Sequence, residues 1–176
     1  ERFDASVRTK FYDKNGNLLT SAADPEYIAP HCKKYEDYDR VMDAGASSKN
    51  IYFIRYADLI LLYAECLLAE NDLAGAKQQV IRVRNRAKVS TPITASNNTE
   101  MLDFIYEERM RELGMQGWRT MDLIRRGADY FAAQVDKYNP FAKGNVQPYH
   151  AFYPIPTNEI NMNDGIGAED QNEGYK

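Results

Sequence analysis

"RYADLILLYAECLLAENDLAGAK", residues 55–77, decides how this chain folds. Leu59, Ile60, Leu61, Leu62, Tyr63, Ala64, Cys66, Leu67 and Leu68 leave the first part of it almost without a polar side. It is not a membrane span. Arg55, Asp58 and Glu65 interrupt it, and its longest uncharged run, Leu59 to Ala64, falls far short of the ~18 apolar residues that a span requires. The stretch predicts a core helix, read here as running from Asn50 to about Glu70. Burying about six of its large side chains is worth roughly 9 to 18 kcal/mol as an upper bound, at ~1.5 to 3 each, so other elements must cover it.

The first of those elements follows directly. After "NDLAG", Leu73, Ala76, Val80, Val83 and Ala87 recur at three and four spacing, the period of an amphipathic helix. The two helices make a hairpin. Small residues at Ala64 and Ala76, surrounded by Leu67, Val80 and Val83, resemble the close-packing positions of a tetratricopeptide repeat. Such repeats bury a continuous core only when about three are stacked, and the chain holds one. Its neighbours must lie outside this chain or be replaced by the later helices.

Composition narrows the function. The chain has 176 residues, 44% of them hydrophobic and 27% charged, which is ordinary for a folded domain. A net charge of −4 argues against a sequence-independent grip on nucleic-acid phosphates. Cys32 and Cys66 read as two unrelated thiols. The start at Glu1, without Met, signal region or lipid-attachment cysteine, reads as that of a processed or excised piece.

Three segments are expected. Residues 1–49 form an irregular β-containing segment in which Asn15-Gly16 supplies the positive φ angles of a small hairpin, followed by a long loop rich in rings, prolines and acids. Residues 50–137 form a helical core. In it a third helix is capped by Asn98 or Thr99 and ends before Gly114, with Leu102, Ile105 and Leu113 on its inward face. A short helix, Trp118 to Arg126, lies between Gly117 and Gly127, and another piece spans Ala128 to Lys137. Residues 138–176 form an extended, Pro-punctuated segment packing on that core. The fold class is therefore mainly α.

The densest polar cluster is "YEERMRELGMQGWRTMDLIRRG", residues 106–127. Glu108 and Glu112 lie one helical turn apart, where like charges repel unless cations intervene, and Arg109, Arg119 and Arg126 are the cations at hand. A glycosidase would need two carboxylates facing each other across a sugar, one with a raised pKa. Neighbouring arginines push the other way, so this is an interhelical ion-pair lattice and no catalytic residue is assigned. His31 and His150 are the sole histidines, no zinc spacing or HExxH occurs, and "NEINMNDG" lacks the spaced carboxylates of a calcium loop, so no metal site and no cofactor are expected. Aromatic richness remains, with thirteen tyrosines, seven phenylalanines and one tryptophan. Aromatic faces stack on sugar rings, and Tyr27, Tyr35, Tyr38, Tyr138 and Tyr149, all placed in loops or at their borders, are the candidate carbohydrate-binding residues. The plainer role for any one of them is packing, as it is for Trp118.

Taken in order, "IRYADLILLYAECLLAENDLAGAKQQVIRVRNRA", "IYEERMRELGMQGWRTMDLIRRG", "FYPIPTNEINMN" and "QNEGY" closely resemble the C-terminal half of the SusD/RagB family. "ERFDASVR" and "HCKKYED" are similar to the segment preceding it. The resemblance implies a surface-exposed outer-membrane lipoprotein of bacteria, built on tetratricopeptide-like helices. It would capture glycans or other nutrients, without catalysis, for a SusC-like TonB-dependent transporter. Missing scaffold helices would then dock on the wet side of the Leu59 to Leu68 helix, or two copies of the fragment would pair there. Ala64, Glu65, Ala76, Arg84, Arg86, Glu108, Arg109, Leu113, Gly117, Arg119, Asp122, Leu123 and Arg125 match the family pattern at fold positions, whereas Gln116 replaces a usual acid and weakens one ion pair. The family's ligand loops share no motif. The alternative is a helical-repeat module devoted to protein contact, with no small ligand of its own.

Overall fold

The computed structural model describes residues 2–12, 15–19, 30–35, 47 and 49–176. In chain order it holds α1 (Arg2–Ser6), β1 (Val7–Arg8), β2 (His31–Cys32), α2 (Tyr56–Ala69), α3 (Leu73–Arg86), α4 (Asn98–Glu112), α5 (Arg119–Arg125), α6 (Ala128–Tyr138), a 3-10 turn Pro148–Ala151, α7 (Thr157–Met162) and a second 3-10 turn Ala168–Asp170. The fold is mainly α, as the patterning predicts. Two compact units divide the chain, Glu1–Gly117 and Trp118–Lys176.

In the first unit α2 packs against both α3 and α4. Leu61, Ala64 and Leu68 from α2, Ala76, Val80 and Val83 from α3, and Met101 and Ile105 from α4 form one buried cluster, closed by Ala95 from the connection before α4. Ala64 and Ala76 are fully buried, so the two backbones approach closely where neither side chain extends past Cβ. Leu102 packs on the edge of this cluster. Leu59 and Tyr63, on the other side of α2, stay about half exposed.

The ends of the hairpin explain its register. Asn71 adopts φ 62°, and the amides of Asn71 and Asp72 donate to Leu68 O at 3.0 Å and Leu67 O at 2.8 Å, which satisfies the last carbonyls of α2 in a Schellman turn. Asp72 then caps α3 by accepting from the Gly75 amide at 2.8 Å. Lys88, at φ 54°, closes α3 the same way, with Val89 N donating to Arg84 O at 3.0 Å.

Several boundaries differ from the sequence expectation. α2 begins at Tyr56, not Asn50, because Arg55 is extended, at φ −117° and ψ 154°, and its guanidinium is drawn away to α4. Ile51 to Ile54 precede the helix as an exposed non-helical run. α3 starts inside "NDLAG", with Asp72 as its cap. The cap of α4 is Asn97, whose side chain accepts from Glu100 N at 3.0 Å, while Asn98 donates to Leu68 O at 3.2 Å and ties α4 to the hairpin turn. The Asn15-Gly16 turn is flanked by an antiparallel bridge between Tyr12 and Leu18, with positive φ at Gly16. The two-stranded sheet itself pairs more distant residues, Val7 with Cys32 and Arg8 with His31.

In the second unit α5 and α6 are separated by Gly127, at φ 103°, and α6 packs on the Pro148–Ala151 turn. Residues 138–176 are less extended than expected, since they carry α7 and both 3-10 turns. "FYPIP" and "QNEGY" prove to be two halves of one device. The Gln171 amide accepts from Ile155 N at 2.8 Å and donates to Ile155 O at 2.9 Å. Asn172 Nδ2 donates to Tyr153 O at 2.6 Å, and Tyr175 Oη donates to Phe152 O at 3.0 Å. Side chains thereby satisfy a backbone that has no strand partner among the described residues.

Candidate functional site

Glu108 and Glu112 project from one face of α4 and are buried, with side chains 1% and 3% exposed. Their burial is possible because cations from three other elements converge on them. Arg2 Nη2 of α1 lies 2.6 Å from Glu108 Oε1, and Arg84 Nη1 of α3 lies 3.2 Å from Glu108 Oε2. Arg55, just before α2, reaches Glu112 Oε1 through Nη1 at 2.9 Å, and Arg86 of α3 straddles both Glu112 oxygens through Nη2 at 2.6 and 2.7 Å. Arg84 also donates to Thr91, to its carbonyl and, at 2.6 Å, to its hydroxyl. Lys34 Nζ donates to the carbonyls of Glu112 and Gly114 at 2.9 and 3.0 Å, satisfying the end of α4 with a cation at its negative dipole end.

The lattice predicted for the two glutamates is present, and Arg84 and Arg86, placed among its fold positions by the family resemblance, are part of it, whereas among the described residues the nearby Arg109, Arg119 and Arg126 do not pair with either glutamate. Arg109 turns to α2 instead, 2.7 Å from Asp58 Oδ1 and 3.9 Å from Glu65 Oε1. Arg119 and Arg126 belong to the second unit, where Arg119 donates to Gln134 at 3.5 Å and Arg126 stacks on the Tyr130 ring at 4.0 Å. Local spacing favoured the nearest arginines, whereas the fold supplied distant ones. One signal was legible: Arg84 stands one turn beyond Val80 on the apolar face of α3, where a guanidinium needs a buried carboxylate. Nothing in the sequence singles out Arg2.

Above Glu112 opens a cleft of about 380 Å³. Arg2, Lys34, Arg55, Arg86 and Gln116 form its polar wall, and Tyr35 and Tyr52 supply rings. Gln116 Oε1 accepts from Arg55 Nε at 3.0 Å, a neutral hydrogen bond where a carboxylate would add charge. The Lys34 ammonium is held below its ordinary pKa, first by burial and then by the positive charge of Arg55. Among the described residues, Arg2, Lys34, Arg55 and Arg86 line the cleft beside one carboxylate, that of Glu112.

The candidate tyrosines are thus dispersed. Tyr35 lines the cleft, beside Tyr52, which the sequence reading did not single out; its place in an aromatic run just before Arg55 was the available signal. Tyr138 and Tyr149 belong to the second unit. Tyr138 is exposed at the end of α6, with Lys137 Nζ 4.8 Å from its ring centroid, and Tyr149 packs edge-on against Tyr175 at 5.1 Å and over the backbone of Gly174. Tyr27 and Tyr38 lie outside the described residues. Cys32 and Cys66 are both free thiols. No grouping of His, Cys, Asp and Glu suited to a metal occurs among the described residues, and no helix there is long and apolar enough to cross a membrane.

Comparison with known proteins gives the arrangement its context. A family profile described as the SusD family matches residues 3–175. The chain belongs to the SusD family. Among SusD relatives, it is 33% identical to SusD-like protein P25 of Formosa agariphila over 134 residues, which cover 73% of this chain and 25% of that protein. It is also 33% identical to SusD-like protein P38 of the same organism over 84 residues, 43% of this chain and 17% of that protein. The chain therefore corresponds to about a quarter of the length of the first SusD-like relative. No solved structure matches it at a significant level.

Proposed function

We propose that this chain is part of a nutrient-binding SusD-type protein that captures an oligosaccharide or related nutrient at the outer-membrane surface and passes it to a SusC-like TonB-dependent transporter without chemical change. Family membership over residues 3–175 supports the class. The observation that carries the reading on this chain is the cleft itself, where Tyr35 and Tyr52 offer faces for sugar C–H surfaces beside the hydrogen-bonding groups of Arg86 and Gln116. Binding without catalysis fits the lattice beneath it. Each oxygen of Glu108 and Glu112 is in contact with an arginine, and a carboxylate so enclosed has no path to a glycosidic oxygen. Isothermal titration of the intact protein against a panel of oligosaccharides tests this, with heat of binding and unchanged sugars expected; hydrolysis would sink it.

The second reading, a module for protein contact alone, is favoured by one observation. Ile51, Tyr52, Phe53 and Ile54 are 55 to 80% exposed and continue onto the open side of α2 at Leu59 and Tyr63. A transporter pull-down and uptake assay with Tyr35 and Tyr52 both replaced by alanine separates the two. Undiminished uptake would favour the contact module, and retained docking with lost uptake the nutrient binder.

A further inference from the structure

Of all the asparagines in the chain, Asn15 alone is followed by glycine. In the fold that pair forms the tip of a turn, and Asn15, Gly16 and Asn17 all face solvent. Gly16 sits at φ 82°, and the position a Cβ would take there is open space, with no atom within 4 Å. No side chain therefore screens the Gly16 backbone nitrogen from the Asn15 side-chain amide, and glycine has the backbone freedom to bring the two together. The one Asp-Gly pair of the chain is placed differently. The Gly165 amide donates to Asn163 Oδ1 at 3.0 Å, and the Asp164 carboxylate beside it is a far poorer acceptor of a nucleophile than an amide.

From this juxtaposition we infer that Asn15 is a self-modification site, which the protein converts slowly to aspartate and isoaspartate with water as the only co-reactant. The Gly16 backbone nitrogen loses its proton to solvent base and attacks Cγ of Asn15. The new N–Cγ bond closes a five-membered imide, and the side-chain nitrogen leaves as ammonia. Water then opens the ring. Cleavage of the N–Cγ bond leaves aspartate, whereas cleavage of the original bond from that nitrogen to the backbone carbonyl carbon leaves isoaspartate, with the chain now running through Cβ and Cγ. In sum, asparagine and water give ammonia and a new carboxylate, and nothing is oxidised or reduced. Isoaspartate places one extra backbone atom in the turn. The arms that this turn joins are tied by the Tyr12–Leu18 bridge and by Leu19 N donating to Phe11 O at 2.8 Å, and turn length fixes the register of such a pair. Phe11 is buried and meets the His31 ring edge-on at 5.0 Å, so a change of register at the tip is felt where β1 pairs with β2.

The test is storage of the intact protein at body temperature in mildly alkaline buffer, followed by tryptic peptide mapping and by methyl labelling with a protein isoaspartyl methyltransferase. The peptide that begins at Asn15 also holds Asn17, whose successor Leu18 is bulky, so the two asparagines compare within one fragment. Asn15 is expected to gain the mass of amide-to-acid exchange about tenfold or more faster than Asn17, because glycine follows it, with isoaspartate among the products and a slower rate in mildly acidic buffer. Hydrogen exchange at the Leu19 amide is expected to be faster in aged protein than in fresh, with α2 and α3 unchanged. Gly16→Ala is expected to slow the conversion but also strains the backbone at φ 82°. Asn15→Ser, which removes the reacting amide and keeps the glycine, is therefore the second control, expected to stay unlabelled and to keep its fresh exchange rate at Leu19. Conversion of Asn15 no faster than that of Asn17, conversion confined to urea-unfolded protein, or labelling that persists in Asn15→Ser overturns the inference. Exchange at Leu19 that conversion leaves unchanged overturns its link to the hairpin register.

Discussion

Arg109 Nη1 lies 2.7 Å from Asp58 Oδ1, and neither side chain is more than 5% exposed. The pair joins the first turn of α2 to the last turn of α4, and Asp58 there also complements the positive end of the α2 dipole. It is held by charge more than by an aligned hydrogen bond, since that oxygen has no well-directed donor. Removing the cation leaves the carboxylate enclosed without compensation. Arg109→Ala is expected to cost about 3 to 5 kcal/mol in urea denaturation. The combination Arg109→Met with Asp58→Leu is expected to recover most of that, because well-packed apolar side chains often replace a buried pair without loss.

The two lattice glutamates differ in how their partners can escape. Arg84, which serves Glu108, is itself buried, whereas Arg86, which serves Glu112, is largely in solvent. Glu108→Gln is therefore expected to cost about 3 to 5 kcal/mol. Glu112→Gln should cost visibly less, because Arg86 can turn to water. Chemical denaturation of the two variants side by side checks the order, and equal costs would contradict it.

In the second unit the bonds from "QNEGY" to "FYPIP" make a local prediction. Gln171→Ala strands the part-buried Ile155 amide and carbonyl, at an expected cost of about 1 to 3 kcal/mol. Gly174, at φ 88°, has the Tyr149 ring within 2.3 Å of where a Cβ would stand, so Gly174→Ala must displace that ring as well as strain the backbone, for about 1 to 3 kcal/mol more. Faster amide exchange at Ile155 in Gln171→Ala, with α2 and α3 unchanged, is the expected signature.

Acid should weaken the start of α4 in a specific way. The Glu100 carboxyl titrates below its ordinary value of 4.5, chiefly because it accepts from the Ser96 amide at 2.7 Å and then from the Ser96 hydroxyl at 2.8 Å. A depressed folded pKa contributes stability that is complete above 4.5 and is lost as pH falls through the folded value. Glu100→Gln is accordingly expected to be less stable than the parent at neutral pH and to match it once both are titrated to strongly acidic conditions, as followed by urea midpoints.

Much of the architecture was legible because it is local. The spacing from Leu73 to Ala87 placed α3, the small residues at Ala64 and Ala76 placed the close contact of the hairpin, and the glycines at 117 and 127 bracketed α5. The start of α2 was not, since apolar character continues from Ile51 through Ile54, while the helix begins at Tyr56 after an extended Arg55 whose guanidinium is held by Glu112. Of the five candidate tyrosines, Tyr35 stands in the cleft, and Tyr52 joins it from the aromatic run just before Arg55, a local signal that does not by itself say which ring faces the cleft.

By itself the sequence determined what each stretch would be, because helix periods, caps and turn residues act over a few positions. Tertiary structure alone decided which arginines meet which glutamates. Arg2 reaches Glu108 across 106 positions and Arg55 reaches Glu112 across 57. A buried carboxylate takes whichever cation the packed helices deliver to it, and the chain's own order does not encode that delivery.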